Sequence, residues 1–131
     1  MPDFKTKLAD HCQDIVTKYP RVFEHAFAFH IPRGWAPIVE SGVATISRCN
    51  RDMRFRQIGE AMGGLLVSFY RPDEVTGMTH LVVEKMTLAC SQTCETCGAH
   101  ARLRTDAERW WHTLCDSCYV AIYQKASHDA K

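Results

Sequence analysis

The sequence lacks any run of about 18 apolar residues, which excludes a membrane-spanning helix. It lacks an excess of charge of either sign: 16 Lys and Arg against 15 Asp and Glu leave a formal net charge of +1, so no global field recruits nucleic acid. The opening residues, Met1-Pro2-Asp3-Phe4-Lys5, lack the basic stretch and apolar segment of a secretion signal. The expected setting is therefore the reducing cytoplasm. Low-complexity linkers are missing, as are internal repeats beyond two short cysteine pairs. No nucleophile–base pair, paired-carboxylate site, phosphate loop or acid–base histidine cluster stands out, and Gly63-Gly64 reads as a turn. A non-enzymatic protein is the expectation.

What is present suits one folded unit: 131 residues, 46% apolar and 24% charged. Phe4, Leu8, Cys12, Ile15, Val16 and Tyr19 share a helical face that Pro20 ends. Residues 20–33 stay open, since Phe23 and Phe27 suit a short helix while Phe27, Phe29 and Ile31 alternate like a strand. Trp35, Ile38, Val39, Val43, Ile46 and Cys49 form a second amphipathic stripe. From about residue 53 the period approaches two, and Gly63-Gly64 then leads into Leu65-Leu66-Val67-Ser68-Phe69-Tyr70, which predicts an antiparallel hairpin. Pro72-Asp73-Glu74 looks like a helix start, with Val75, Met78, Val82, Met86 and Ala89 at helical spacing behind it.

Seven cysteines, an odd number, fit a metal site better than a disulfide framework. Cys94 and Cys97 form one CxxC pair and Cys115 and Cys118 another, with seventeen residues between them. Each pair sets two thiolates on one side of a tight loop, and two pairs complete the tetrahedron preferred by zinc. Gly98 follows the first pair, where the chain must curl over the sulfurs. A thioredoxin-like redox pair needs one CxxC in a βαβ context, and rubredoxin-like iron favours a glycine where Tyr119 stands. Four thiolates close the shell, so the expected cofactor is one structural Zn²⁺ ion rather than a catalytic one. His100 and His112 are then surface or packing residues. Ala101 to Thr105 and Arg109 to Leu114 predict a hairpin, and Tyr119, Ile122, Tyr123 and Ala126 a helix that starts at the second pair. That order is the treble clef's, whereas a zinc ribbon would place the second pair on another hairpin. Cys12, Cys49 and Cys90 lie on apolar stripes and are expected to be buried.

Gly34-Trp35, the stretch Gln57 to Leu65 with Phe69-Tyr70, and the TCExCG…RxR…W…TLCD pattern carry a resemblance. In this chain that pattern reads Thr93-Cys94-Glu95-Thr96-Cys97-Gly98, Arg102-Leu103-Arg104, Trp111 and Thr113-Leu114-Cys115-Asp116. Together these resemble a family of small zinc-finger proteins of phages, prophages and plasmid-bearing bacteria, over roughly residues 33–118. The family usually has Lys-Phe where this chain has Ala61-Met62, and often a histidine near Cys118 or Tyr119. The resemblance implies a mobile-element origin and a bacterial cytoplasm, and it transfers no reaction.

Two surface features remain. Arg48, Arg51, Arg54 and Arg56, with Arg71 nearby, are the densest basic stretch and could contact phosphates or an acidic protein. Trp110 and Trp111 are adjacent on the return strand of the zinc hairpin, so their side chains should point to opposite faces and one should be exposed. The fold class expected is α+β. A small antiparallel sheet packed with helices occupies residues 1–93, and a four-cysteine treble-clef or ribbon-like zinc module occupies 94–131 in the same globular unit. The function expected is docking on a host or phage protein complex, in its sharpest form as an inhibitor of a host defence such as an anti-CRISPR protein. A nucleic-acid-binding or transcription-related protein is the alternative, and an enzyme with an unrecognised site the third reading.

Overall fold

The computed structural model describes residues 8–105 and 111–129, with residues 123–129 described by backbone alone. The architecture is α+β. Helix α1 (Asp10–Lys18) is followed by turns, then strand β1 (Ala28–His30), helix α2 (Ala36–Cys49), strands β2 (Phe55–Ala61) and β3 (Gly64–Phe69), and helix α3 (Gly77–Cys90). The cysteine module adds strands β4 (Arg102–Arg104) and β5 (His112–Leu114) and helix α4 (Asp116–Asp129). Of the first predicted stripe, Phe4 lies outside the described residues, while Cys12, Ile15 and Val16 are buried by α1.

The segment at 20–33 resolves into both turn and strand. Val22 and Phe23 are buried by a turn whose Val22 carbonyl accepts from the Phe55 amide at 2.8 Å, and Phe29 then enters β1. β1 pairs in parallel with β2, Phe29 lying opposite Ile58, and β2 pairs antiparallel with β3. The larger sheet is therefore mixed, which corrects the expectation of an antiparallel one. Parallel neighbours need a long crossover, and α2 supplies it. Phe23 stacks on Phe29 with centroids 4.8 Å apart and meets Phe55 at 5.3 Å, and Phe55 stacks on Phe69 at 5.1 Å. These rings join Trp35, Val39, Val43 and Ile46 of the α2 stripe in one core.

The β2–β3 turn is Met62-Gly63, with φ of 53° and 83°. Two positive φ values match the twist of a two-residue hairpin, but they are costly for a methionine. α3 starts later than Pro72-Asp73-Glu74 suggested. Those three residues make a single 3₁₀ turn, Val75 is extended, and the Thr76 hydroxyl caps α3 by accepting from the Thr79 amide. At Gly42, an added Cβ would lie 2.1 Å from the Met86 sulfur, so glycine lets α2 and α3 pack closely. Cys12 and Cys90 are buried as expected, but Cys49 is exposed. α2 makes its last core contact at Ile46 and ends at Cys49, so the stripe outruns the core.

The cysteine module has its own small apolar cluster of Cys94, Ala101 and Leu114. It meets the larger core along a seam of specific bonds. The Trp35 indole N–H donates to the Thr93 carbonyl at 2.8 Å, and the Gly34 amide donates to the Glu95 carbonyl at 2.8 Å. A Cβ on Gly34 would lie 2.0 Å from the Cys94 carbonyl oxygen, so only glycine fits against this backbone.

Candidate metal centre

The first cysteine pair sits in a knuckle closed by backbone bonds. The Gly98 amide donates to the Cys94 carbonyl at 3.0 Å, and the Cys94 amide to the Ala99 carbonyl at 2.7 Å. Gly98 has φ of 83°, the left-handed conformation expected where the chain folds over the sulfurs. Hairpin β4–β5 then returns the chain, Leu103 lying opposite Thr113. Cys115 directly precedes α4 and Cys118 lies in its first turn, where its amide donates to the Cys115 sulfur at 3.4 Å.

These elements bring Cys94, Cys97, Cys115 and Cys118 together, each sulfur within 4.8 Å of the others. The Cys97 and Cys115 sulfurs are 3.6 Å apart. A tetrahedron with Zn–S bonds of about 2.3 Å has edges of about 3.8 Å, so the group fits a zinc ion. Burial opposes ionisation of Cys94, but amides at Cys115, Cys97 and Thr96 outweigh it and bring the thiol down to about 6. Cys118 is pushed up to about 12, first through its hydrogen bond with Cys115 and then by burial and the neighbouring thiols. A thiolate at Cys94 thus disfavours a second at Cys118, and a cation held between them would offset that repulsion.

Arg104 braces the second pair. It donates to the Asp116 carboxylate at 2.6 Å and to the Leu114 carbonyl at 3.1 Å, and its guanidinium lies 4.7 Å from the centre of the Tyr119 ring. The Asp116 carboxyl is held below its ordinary value by that guanidinium.

Glu95, inside the first CxxC, is a buried acidic residue that the spacing pattern did not single out. Its backbone amide donates to the Thr113 carbonyl at 2.9 Å. Its carboxylate accepts from the Thr113 amide and lies 3.2 Å from His112 Nδ1. Burial raises the Glu95 carboxyl, opposed by the Thr113 amide and by His112. Glu60 of β2 is close by, its Oε1 accepting from the Gly63 amide at 2.6 Å. An acidic residue directly after a buried ligand cysteine was the available signal.

The arginines at 48–56 do not form one free patch. Arg48 and Arg51 are exposed, but Arg54 pairs with Glu24 at 3.4 Å and donates to the Arg51 and Met53 carbonyls. Arg56 lies over the Phe27 ring at 5.4 Å, and Arg71 pairs with Glu74 at 3.5 Å. Trp110 lies outside the described residues, whereas Trp111 is exposed immediately before β5. Leu103 and the Trp111 backbone flank Gly63: an added Cβ there would lie 2.4 Å from Leu103 Cδ1 and 3.3 Å from the Trp111 carbonyl oxygen.

Among the described residues, no helix is long and apolar enough to cross a membrane. Comparison with known proteins finds no family model, curated relative or solved structure that matches the chain.

Proposed function

We propose that the chain is a non-enzymatic protein, pinned by one structural zinc ion, that acts by docking on a protein complex. The module is read as a treble clef, because the second cysteine pair falls at the start of α4 rather than on a second hairpin. The observation that carries the docking reading is the apolar rim around Gly63. Met62 precedes Gly63 in the turn, the Leu103 side chain and the Trp111 backbone flank it, and the three residues are 67%, 45% and 43% exposed. An exposed tryptophan next to a hairpin that a bound zinc ion would fix is a preorganised anchor, so little ordering entropy is lost on binding. The sharpest version, a phage- or plasmid-encoded inhibitor of a host defence complex in the bacterial cytoplasm, draws on the family resemblance alone.

The test is quantitative binding of a partner captured from the native host. Trp111→Ala should weaken it by about 2 kcal/mol or more, with zinc content and Tm unchanged. Equal binding by Trp111→Ala and Leu103→Ser would remove the rim from the function.

The nucleic-acid reading keeps the exposed Arg48 and Arg51, with Arg56 beside them in sequence, as its contacts. Replacing all three with Ala should flatten the salt slope of binding by roughly 0.9 per lost contact on B-DNA. Absence of binding by the wild type at low salt would reject this reading outright.

A further inference from the structure

A second group of ligand-type side chains lies at the seam, apart from the cysteines. Glu60 comes from the end of β2, Glu95 from the knuckle and His112 from the start of β5, and one ligand atom of each lies within 4.8 Å of the other two. Glu95 Oε1 and His112 Nδ1 are 3.2 Å apart, the edge length of a coordination shell with bonds of about 2.0–2.2 Å. Both carboxylates are already oriented by outer hydrogen bonds, Glu60 from the Gly63 amide and Glu95 from the Thr113 amide, as metal-ligating carboxylates are. The Glu95 side chain is 9% exposed and that of His112 is 38% exposed, so the group is anchored inside and open at one edge.

We propose that Glu60, Glu95 and His112 form a second cation site, selective for a first-row divalent ion such as zinc, with water completing its shell. Two carboxylates and one imidazole suit zinc or manganese, and three protein ligands leave positions open. Such an ion binds more weakly and exchanges faster than one held by four thiolates. It would link the β2 end of the β2–β3 hairpin directly to the knuckle.

Equilibrium dialysis against Zn²⁺, followed by metal analysis, tests the site on the full chain. Wild type should take up two zinc ions per chain. Glu60→Gln keeps an acceptor for the Gly63 amide, and His112→Gln alters a part-exposed side chain. Each variant should retain one ion, with affinity for the second at least tenfold weaker. The retained ion reports an intact cysteine module, so whichever variant keeps it decides the matter. In a parallel arm, Mn²⁺ is added to protein carrying one zinc, because manganese prefers oxygen ligands over thiolates. Its uptake should be lost in the same variants. One zinc per chain in the wild type at saturation, or two held with unchanged affinity by either variant, would overturn the proposal.

Discussion

Thr113 Oγ1 donates a buried hydrogen bond of 2.8 Å to the carbonyl of Gly63, joining β5 of the cysteine module to the β2–β3 turn. Neighbours in space and fifty residues apart in sequence, these two groups fix the β4–β5 hairpin against the mixed sheet. Thr113→Val keeps the shape but leaves the Gly63 carbonyl buried without its donor. We expect a loss of about 1–3 kcal/mol in urea unfolding, with one zinc still held by the cysteines. An unchanged midpoint would show that the bond does not support the seam.

Thiol counting should separate three environments. In zinc-loaded protein, only the exposed Cys49 should react quickly with a thiol reagent. Chelation should add Cys94, Cys97, Cys115 and Cys118, while Cys12 and Cys90 wait for denaturant. Seven thiols on chelation alone would mean that the larger core does not survive loss of the metal.

Cys90 should impose an alkaline limit on stability. Burial pushes its thiol from 9.0 to about 12, so the folded chain keeps a proton that the unfolded chain releases. The unfolded state then binds fewer protons, and stability falls as pH rises above about 9 towards 12, being unaffected by this group below that range. Cys90→Ala should cost stability at neutral pH through the lost contacts, yet show a shallower fall between about pH 9 and 10.5. Parallel profiles for the two proteins would count against this role.

The hairpin turn offers a trade between fold and binding. Met62 holds φ of 53° while its side chain stays in solvent. Met62→Asn should raise stability by about 1 kcal/mol, since asparagine tolerates the left-handed region better. It also removes one side of the proposed rim, so partner affinity should drop as Tm rises. A gain in stability with no loss of affinity would place Met62 outside the interface.

The parts of this structure that could be read from sequence are those set by local chemistry. A CxxC loop brings its two sulfurs together whatever surrounds it, and Val39, Val43 and Ile46 share a helical face through spacing alone. The parallel pairing of β1 escaped because three residues carry too little periodicity and their partner is β2, beyond a whole helix. The late start of α3 was written in the Thr76 cap, but the acidic turn at Pro72–Glu74 imitated a helix start. The grouping of Glu60, Glu95 and His112 depends on three separate segments, and no spacing rule reaches across them. The partners of the arginine stretch were out of reach for a related reason: Glu24 and Phe27, which engage Arg54 and Arg56, lie about thirty residues upstream. Three separate segments reach this seam, through Gly34 and Trp35, Glu60 and Gly63, and Glu95 and Thr113.

The bond from the Trp35 indole to Thr93 has a consequence for how the chain matures on the ribosome. Gly34 and Trp35 are synthesised well before the knuckle that accepts their N–H groups, and the second cysteine pair emerges later still. During translation the larger core can collapse around Phe23, Phe55 and Val43, but the Gly34 and Trp35 N–H groups have no acceptor until the segment from Thr93 to Glu95 has emerged. If the four cysteines hold zinc as proposed, its capture would come last in synthesis, after Cys118 has emerged, and a chain short of the ion would present its cysteine module unclosed to proteases and chaperones.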